Sequence, residues 1–141
     1  MNNPNDYQIG GNHYRRSGLQ HWDIMAMLHA DYFTGCASKY ITRLMDKDDP
    51  LTNLKKARHF LAKRQTVYKR PPLGYRVRYW WHRQMVSDWL QTLYGPSPIG
   101  MLQYRVTRAI LTYGECDEWM DHLEKELRVM LEPNVHHTEP Q

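Results

Sequence analysis

The run Phe33-Thr34-Gly35-Cys36-Ala37-Ser38-Lys39-Tyr40-Ile41-Thr42-Arg43-Leu44-Met45-Asp46 carries the clearest periodicity in the chain. Phe33, Cys36, Ala37, Tyr40, Ile41 and Leu44 recur at i, i+3, i+4, i+7, i+8 and i+11, the stripe of an α-helix lying on a core. Working outward, Trp22 and Met25 with Ala26 or His29 share a face of a shorter helix over 21–30. Asp23 stands near its N-terminus, where a carboxylate suits the helix dipole. On the other side Asp49-Pro50 supplies an N-cap and a first-turn proline, and Leu51, Leu54, Ala57 and Leu61 continue as a third amphipathic helix to about Gln65.

Between residues 66 and 78 the pattern dissolves around Pro71-Pro72-Leu73-Gly74, which reads as a linker. Helical spacing returns with Trp81, Met85, Val86, Trp89, Leu90 and Leu93, stops at Gly95-Pro96-Ser97-Pro98, and resumes from Ile99 to Tyr113. Gly114 ends that fifth helix. Cys116, Trp119, Met120, Leu123, Leu127, Met130 and Leu131 line a sixth, whose first turns hold Glu115, Asp117, Glu118 and Asp121. The expectation is therefore an all-α protein of two three-helix lobes, 21–65 and 79–132, joined by the 66–78 linker. A polar arm over 1–20 precedes them and a disordered tail over 133–141 follows. The wide aromatic stripes of the second lobe suggest that part of its apolar surface faces another subunit, making the protein a homo-oligomer.

The 141 residues are 41% hydrophobic and 24% charged, with five Trp, ten Tyr and two Cys, a composition that folds but is no disulfide scaffold. Cys36 and Cys116 make neither a Cys-x-x-Cys pair nor a zinc spacing and read as small buried hydrophobes. No apolar run is long enough to span a bilayer, and the start lacks the charged and apolar regions of a signal peptide, so a cytoplasmic location is expected. The net charge of +4 is unevenly placed. Residues 39–83 carry thirteen Lys or Arg against Asp46, Asp48 and Asp49, whereas residues 114–132 carry seven acids against Lys125 and Arg128. Such asymmetry suits a phosphate or polyanion ligand, and equally a match between lobes or subunits of opposite sign.

Gly35, Lys39, Arg43 and Lys47 follow one another at four-residue spacing, which a helix places along one ridge. A fork of arginine donors plus mobile lysine charges is what a phosphate requires, although periodicity alone favours a solvated basic face. The third helix adds Lys55, Lys56, Arg58, His59, Lys63 and Arg64, and antiparallel packing through the 47–50 connection would bring some of these to the same groove. Asn12-His13-Tyr14, after Gly10-Gly11, offers an imidazole and an aromatic ring on the arm. Asp46, Asp48 and Asp49 could seat a divalent ion but read better as cap and turn residues. Glu115-x-x-Glu118-x-x-Asp121 lacks the second acidic pair that a Mg²⁺-dependent pyrophosphatase helix set needs. No nucleophilic triad can be assigned from the sequence, and no phosphate-binding Gly-x-x-x-x-Gly-Lys-Ser/Thr loop occurs.

Several runs together resemble a family of small phage proteins whose characterised relative is a nucleotide kinase lacking a P-loop: His13-Tyr14, Asp23-Ile24, Phe33-x-Gly35-x-x-x-Lys39-Tyr40-x-x-Arg43-x-x-x-Lys47 and Leu54-x-Lys56-Ala57 with Phe60-Leu61. The resemblance covers residues 7 to about 64. It implies a deoxynucleoside monophosphate-binding helical domain that assembles into symmetric oligomers. It also implies phosphoryl transfer from a nucleoside triphosphate, with Lys39, Arg43, Lys47 and Lys56 as the matching cations. The chain departs from the family pattern at Cys36, usually Asn, and at Leu44-Met45-Asp46, usually a run with a glycine and a lysine. Those losses weigh on catalysis more than on anion binding.

The functional expectation is a phage nucleotide-binding protein, in the cytoplasm of an infected host. His13, Tyr14, Lys39, Tyr40, Arg43, Lys47 and Lys56 would form its phosphate and nucleotide site. One alternative is a non-catalytic sponge that sequesters a host immune signalling nucleotide, mono or cyclic. Another is nucleic-acid binding through the basic stretch with Tyr68, Tyr75, Tyr79, Trp80 and Trp81, with Arg76 and Arg78 as its cations. No metal ligand is assigned, and Mg²⁺ with a nucleoside triphosphate enters only through the kinase reading.

Overall fold

The computed structural model describes residues 18–132. Within them the chain forms six α-helices: α1 (His21–Leu28), α2 (Tyr32–Thr42), α3 (Pro50–Val67), α4 (Leu73–Leu93), α5 (Pro98–Thr112) and α6 (Asp117–Leu131), with no strand among the described residues. The caps explain where they begin. Asp31 accepts from the Thr34 N–H at 3.0 Å, Asp49 from the Thr52 N–H at 2.9 Å, and Ser97 from the Gly100 N–H at 3.0 Å. Pro50 and Pro98 follow two of those caps at the first helical position, where a missing N–H costs nothing. No helix of the described residues is long and apolar enough to cross a membrane.

Two boundaries differ from the sequence reading. The second helix was expected to run to about Asp46, but α2 stops at Thr42: the Leu44 N–H turns back to the Ile41 carbonyl at 3.2 Å and the ladder tightens. The connection to α3 then reverses through Asp48 in the left-handed region (φ 63°), and the buried Asn53 amide donates to the Leu44 and Lys47 carbonyls at 3.2 and 2.6 Å. Those carbonyls belong to the turn between α2 and α3, where no helical ladder supplies a donor. The expected 66–78 linker shrinks to residues 68–72, because α3 continues to Val67 and α4 starts at Leu73. Tertiary contacts hold those first turns of α4: the Tyr75 hydroxyl donates to the Leu111 carbonyl at 2.6 Å, and Arg78 Nε donates to the Leu28 carbonyl at 2.9 Å.

Two hydrophobic clusters result, and they do not follow the halves of the chain. Ala37, Ile41 and Leu44 with Leu54 and Ala57 meet Val106 and Ile110 of α5 and Met120, Leu123 and Leu127 of α6. The α2–α3 hairpin thus packs on the α5–α6 hairpin. In the second cluster Ile24 and Leu28 of α1 meet Val86, Trp89 and Leu90 of α4 and Leu111 of α5. Cys116 is buried in the first cluster as a hydrophobe, its thiol pushed up to about 11 chiefly by burial.

Arg64, counted from sequence among the surface cations of the third helix, is instead buried between the hairpins. It donates to Thr34 Oγ1 at 3.0 Å and to the Ile110 carbonyl at 2.8 Å, and its guanidinium lies 4.0 Å from the centre of the Tyr113 ring. The Tyr113 hydroxyl in turn donates to Asp31, which also accepts from the Thr34 hydroxyl at 2.7 Å. Burial alone would raise the Asp31 carboxyl, but the bonds from Tyr113 and Thr34 and the charge of Arg64 outweigh it and hold it below the ordinary carboxylate value.

Candidate functional site

The outer face of the α2–α3 hairpin gathers an aromatic cluster and cations. Tyr40 and Phe60 stack, with ring centres 6.0 Å apart and planes 13° from parallel. Tyr32 and His59 meet Phe60 edge-on, at 5.9 and 5.8 Å. Over the Tyr40 ring lie the Arg43 guanidinium at 5.0 Å and the Lys56 ammonium at 5.4 Å from its centre. An aromatic face attracts both cations by its quadrupole, and here it holds together two charges that would otherwise repel. The hairpin geometry produces this: Arg43, the C-cap of α2, follows Tyr40 by three residues, Lys56 and Phe60 are four apart on α3, and the two helices are antiparallel neighbours.

Tyr40, Arg43 and Lys56 of the expected site are therefore brought together. Lys39 is exposed on the last turn of α2, close enough that its charge and that of Arg43 act on the ring of His21. Lys47 is also exposed, but it lies past the end of α2 on the connecting turn, so the ridge through Gly35, Lys39 and Arg43 does not extend to it as a helix. His13 and Tyr14 lie outside the described residues. Of the other cations on α3, Arg64 is consumed by the core. Arg58 pairs with Asp121 at 2.8 Å and reaches Glu124 at 3.6 Å on α6. The match between segments of opposite charge is thus made, at this point, within one chain.

Two contributors were not foreseen. Phe60, quoted only as part of the motif, is the hub on which Tyr32, Tyr40 and His59 converge. His21, at the start of α1, sits behind Lys39 and Arg43 with its Nε2 2.7 Å from Ser38 Oγ and its ring 6.2 Å from that of Trp89. Burial, then the charges of Lys39 and Arg43, lower its pKa to about 4, so the imidazole is neutral at physiological pH. The first was legible as helical spacing four residues beyond Lys56; nothing in the sequence singles out the second.

Asp49 is engaged in its cap, bonding the N–H and the hydroxyl of Thr52 at 2.9 Å each. Among the described residues no group of three His, Cys, Asp or Glu side chains could hold a metal ion. With Asp49 spent on its cap, the aspartates of the connection do not fit a protein-held Mg²⁺. Chemically the face offers a flat aromatic surface for a base or sugar and at least three cations for phosphate oxygens. No family model, no curated protein and no solved structure matches the chain.

Proposed function

We propose that the chain is a nucleotide-binding protein that takes phosphate groups on Lys39, Arg43 and Lys56, with the Tyr40–Phe60 stack beside the base. The observation that carries this reading is the convergence of two cations on one aromatic ring, supplied by two helices. The resemblance to the phage nucleotide kinase family supports the same face and implies a phage origin and a symmetric oligomer. Binding without turnover suits the arrangement best. Phosphoryl transfer asks for further groups that position the nucleophile and neutralise charge. Here Lys47 stands off the helical ridge and Asp49 is committed to its cap. A protein of this kind would act by sequestering its nucleotide, as a sponge for a signalling nucleotide does.

The test is a thermal-shift series of the purified protein against mono-, di-, triphosphate and cyclic nucleotides, followed by mass analysis of the ligand after incubation with a triphosphate donor. A ligand that binds only the native state raises apparent stability by about 2.7 kcal/mol at a hundredfold excess over Kd. The expected result is stabilisation by at least one nucleotide, lost in the Arg43→Ala/Lys56→Ala variant, with the nucleotide recovered unchanged. A phosphorylated product would replace binding by kinase activity at the same face. Absence of stabilisation by every nucleotide tried would overturn the site itself.

A further inference from the structure

The antiparallel pair α4 and α5 forms a second basic surface, on helices that take no part in the Tyr40–Phe60 face. Arg76 and Arg83 come from α4 and Arg105 and Arg108 from α5. They border two hollows of about 280 and 380 Å³ at opposite ends of the groove between these helices. No Asp or Glu lines either hollow. α5 contains no carboxylate, and Asp88, the single one on α4, lies off the groove and accepts from the Gln84 amide at 3.0 Å. All four arginines are exposed, and none pairs with an acid among the described residues, in contrast to Arg58 on α3. Four guanidinium groups outside any ion pair, Arg105 among them resting 4.7 Å from the centre of the Trp119 ring on α6, leave a positive surface that a polyanion would neutralise.

Aromatic side chains are interleaved with these cations. Trp80 and Trp81 are 60% and 73% exposed, with ring centres 6.4 Å apart, and Arg83 lies 4.5 Å from the centre of the Trp80 ring. Tyr79 and Tyr104 are half-buried in the groove walls, and the charge of Arg108 acts on the Tyr79 phenol. Large exposed indoles could also pair two copies of the chain. A two-fold axis that laid this groove on its own copy, however, would bring its arginines together, and no Asp or Glu lines either hollow to separate them. Such like-charge contact is strongly unfavourable. Arginine rather than lysine throughout, with open aromatic faces, fits planar phosphates and unpaired bases. A duplex would present its bases already stacked and leave the indoles without partners. From Arg76 to Gln91 the groove runs about 22 Å along α4, at 1.5 Å per residue.

We propose that the α4–α5 groove binds single-stranded nucleic acid, with phosphates on Arg76, Arg83, Arg105 and Arg108 and bases stacked on Trp80 and its neighbours. The test is fluorescence anisotropy of a labelled oligothymidylate with the full chain, titrated across a range of salt concentrations, with a duplex of equal length as comparison. Four neutralised phosphates predict a slope of log affinity against log salt of about −3, at about −0.7 per phosphate on a single strand. Arg83→Ala/Arg108→Ala should bring the slope to about −1.4 and weaken binding at least tenfold. Trp80→Ala should weaken it about tenfold with the slope unchanged, since stacking carries no counterion release. These side chains are exposed, so circular dichroism should show the helices intact in every variant. The proposal is overturned if no strand binds at the lowest salt or if the duplex binds equally well. Unchanged affinity in both variants would likewise overturn it. So would failure to bind a strand by a protein that instead self-associates through Trp80 or adsorbs to phosphatidylserine vesicles.

Discussion

His21 shows how a single side chain couples the candidate face to the core. The Ser38 hydroxyl lies 2.7 Å from the Thr34 carbonyl and can spend its one proton there, so the His21 Nε2, 2.7 Å away, is assigned as the donor between the two. Protonating the other nitrogen would place a charge in a buried setting beside Lys39 and Arg43, which is why the pKa falls to about 4 from an ordinary value of 6.5. In the unfolded chain the ring takes up its proton near 6.5 and in the folded chain only near 4. Between those values the unfolded state binds more protons, and stability falls as the pH falls; above 6.5 the two states do not differ at this group. Urea unfolding at pH 7, 6 and 5 should show a loss approaching about 1.4 kcal/mol per pH unit in this window. His21→Gln, which can still donate to Ser38, should flatten it; an equal loss in both proteins would show that the ring is solvated. The sequence hid this residue because its environment is made by α2 and α4. Arg43 was reached through the basic ridge and Tyr40 and Lys56 through the family resemblance, and it is the hairpin packing that brings the three together.

At the scale of elements, helix interiors were legible and helix ends less so. The apolar stripes of α2, α3, α5 and α6 name the buried residues Ala37, Ile41, Leu54, Ile110, Leu123 and Leu127 correctly. The first turns of α4 were missed because Leu73 and Val77 point outward, while the buried Tyr75 is held by a carbonyl of α5 that no local pattern reveals. The same holds at the end of α5, where Tyr113 takes the left-handed cap position (φ 57°) ahead of the Gly114 expected to stop it. Two glycines give a paired test of what each element tolerates. At Gly100, in the first turn of α5, an added Cβ would lie 2.5 Å from the Gly95 carbonyl oxygen and 3.1 Å from the capping Ser97 Oγ. Backbone cannot give way there without moving the turn that starts the helix, so Gly100→Ala should cost about 1–3 kcal/mol. At Gly35, inside α2, nothing lies within 4 Å of the added atom, and Gly35→Ala should stabilise by up to about 1 kcal/mol through helix propensity. Thermal unfolding followed by circular dichroism should move the two midpoints in opposite directions. Equal shifts would mean that the α4–α5 turn relaxes freely.

At the scale of the whole molecule, α5 ties the two clusters together. Val106 and Ile110 belong to one and Leu111 to the other, and the carbonyls of Ile110 and Leu111, near the helix end where internal partners run out, accept from Arg64 and Tyr75 respectively. Apolar periodicity told which face of each helix is buried but not against which partner, so a division at the proline-containing connection was a natural reading of the sequence. The packing argues otherwise. A chain ending after α3 would leave Ala37, Ile41, Leu44, Leu54 and Ala57 without the α5 and α6 side chains that cover them, and would leave Arg64 without the Ile110 carbonyl and the Tyr113 ring. Residues 1–68 alone should therefore show little helix and no cooperative melting. The full chain should unfold in one transition, with far-ultraviolet circular dichroism and tryptophan fluorescence coincident, because Trp89 reports on one cluster and Trp119 packs against the other. A cooperative transition in the fragment, or two separated transitions in the whole protein, would restore independent lobes. The nucleotide face would then belong to a unit able to stand without α5 and α6.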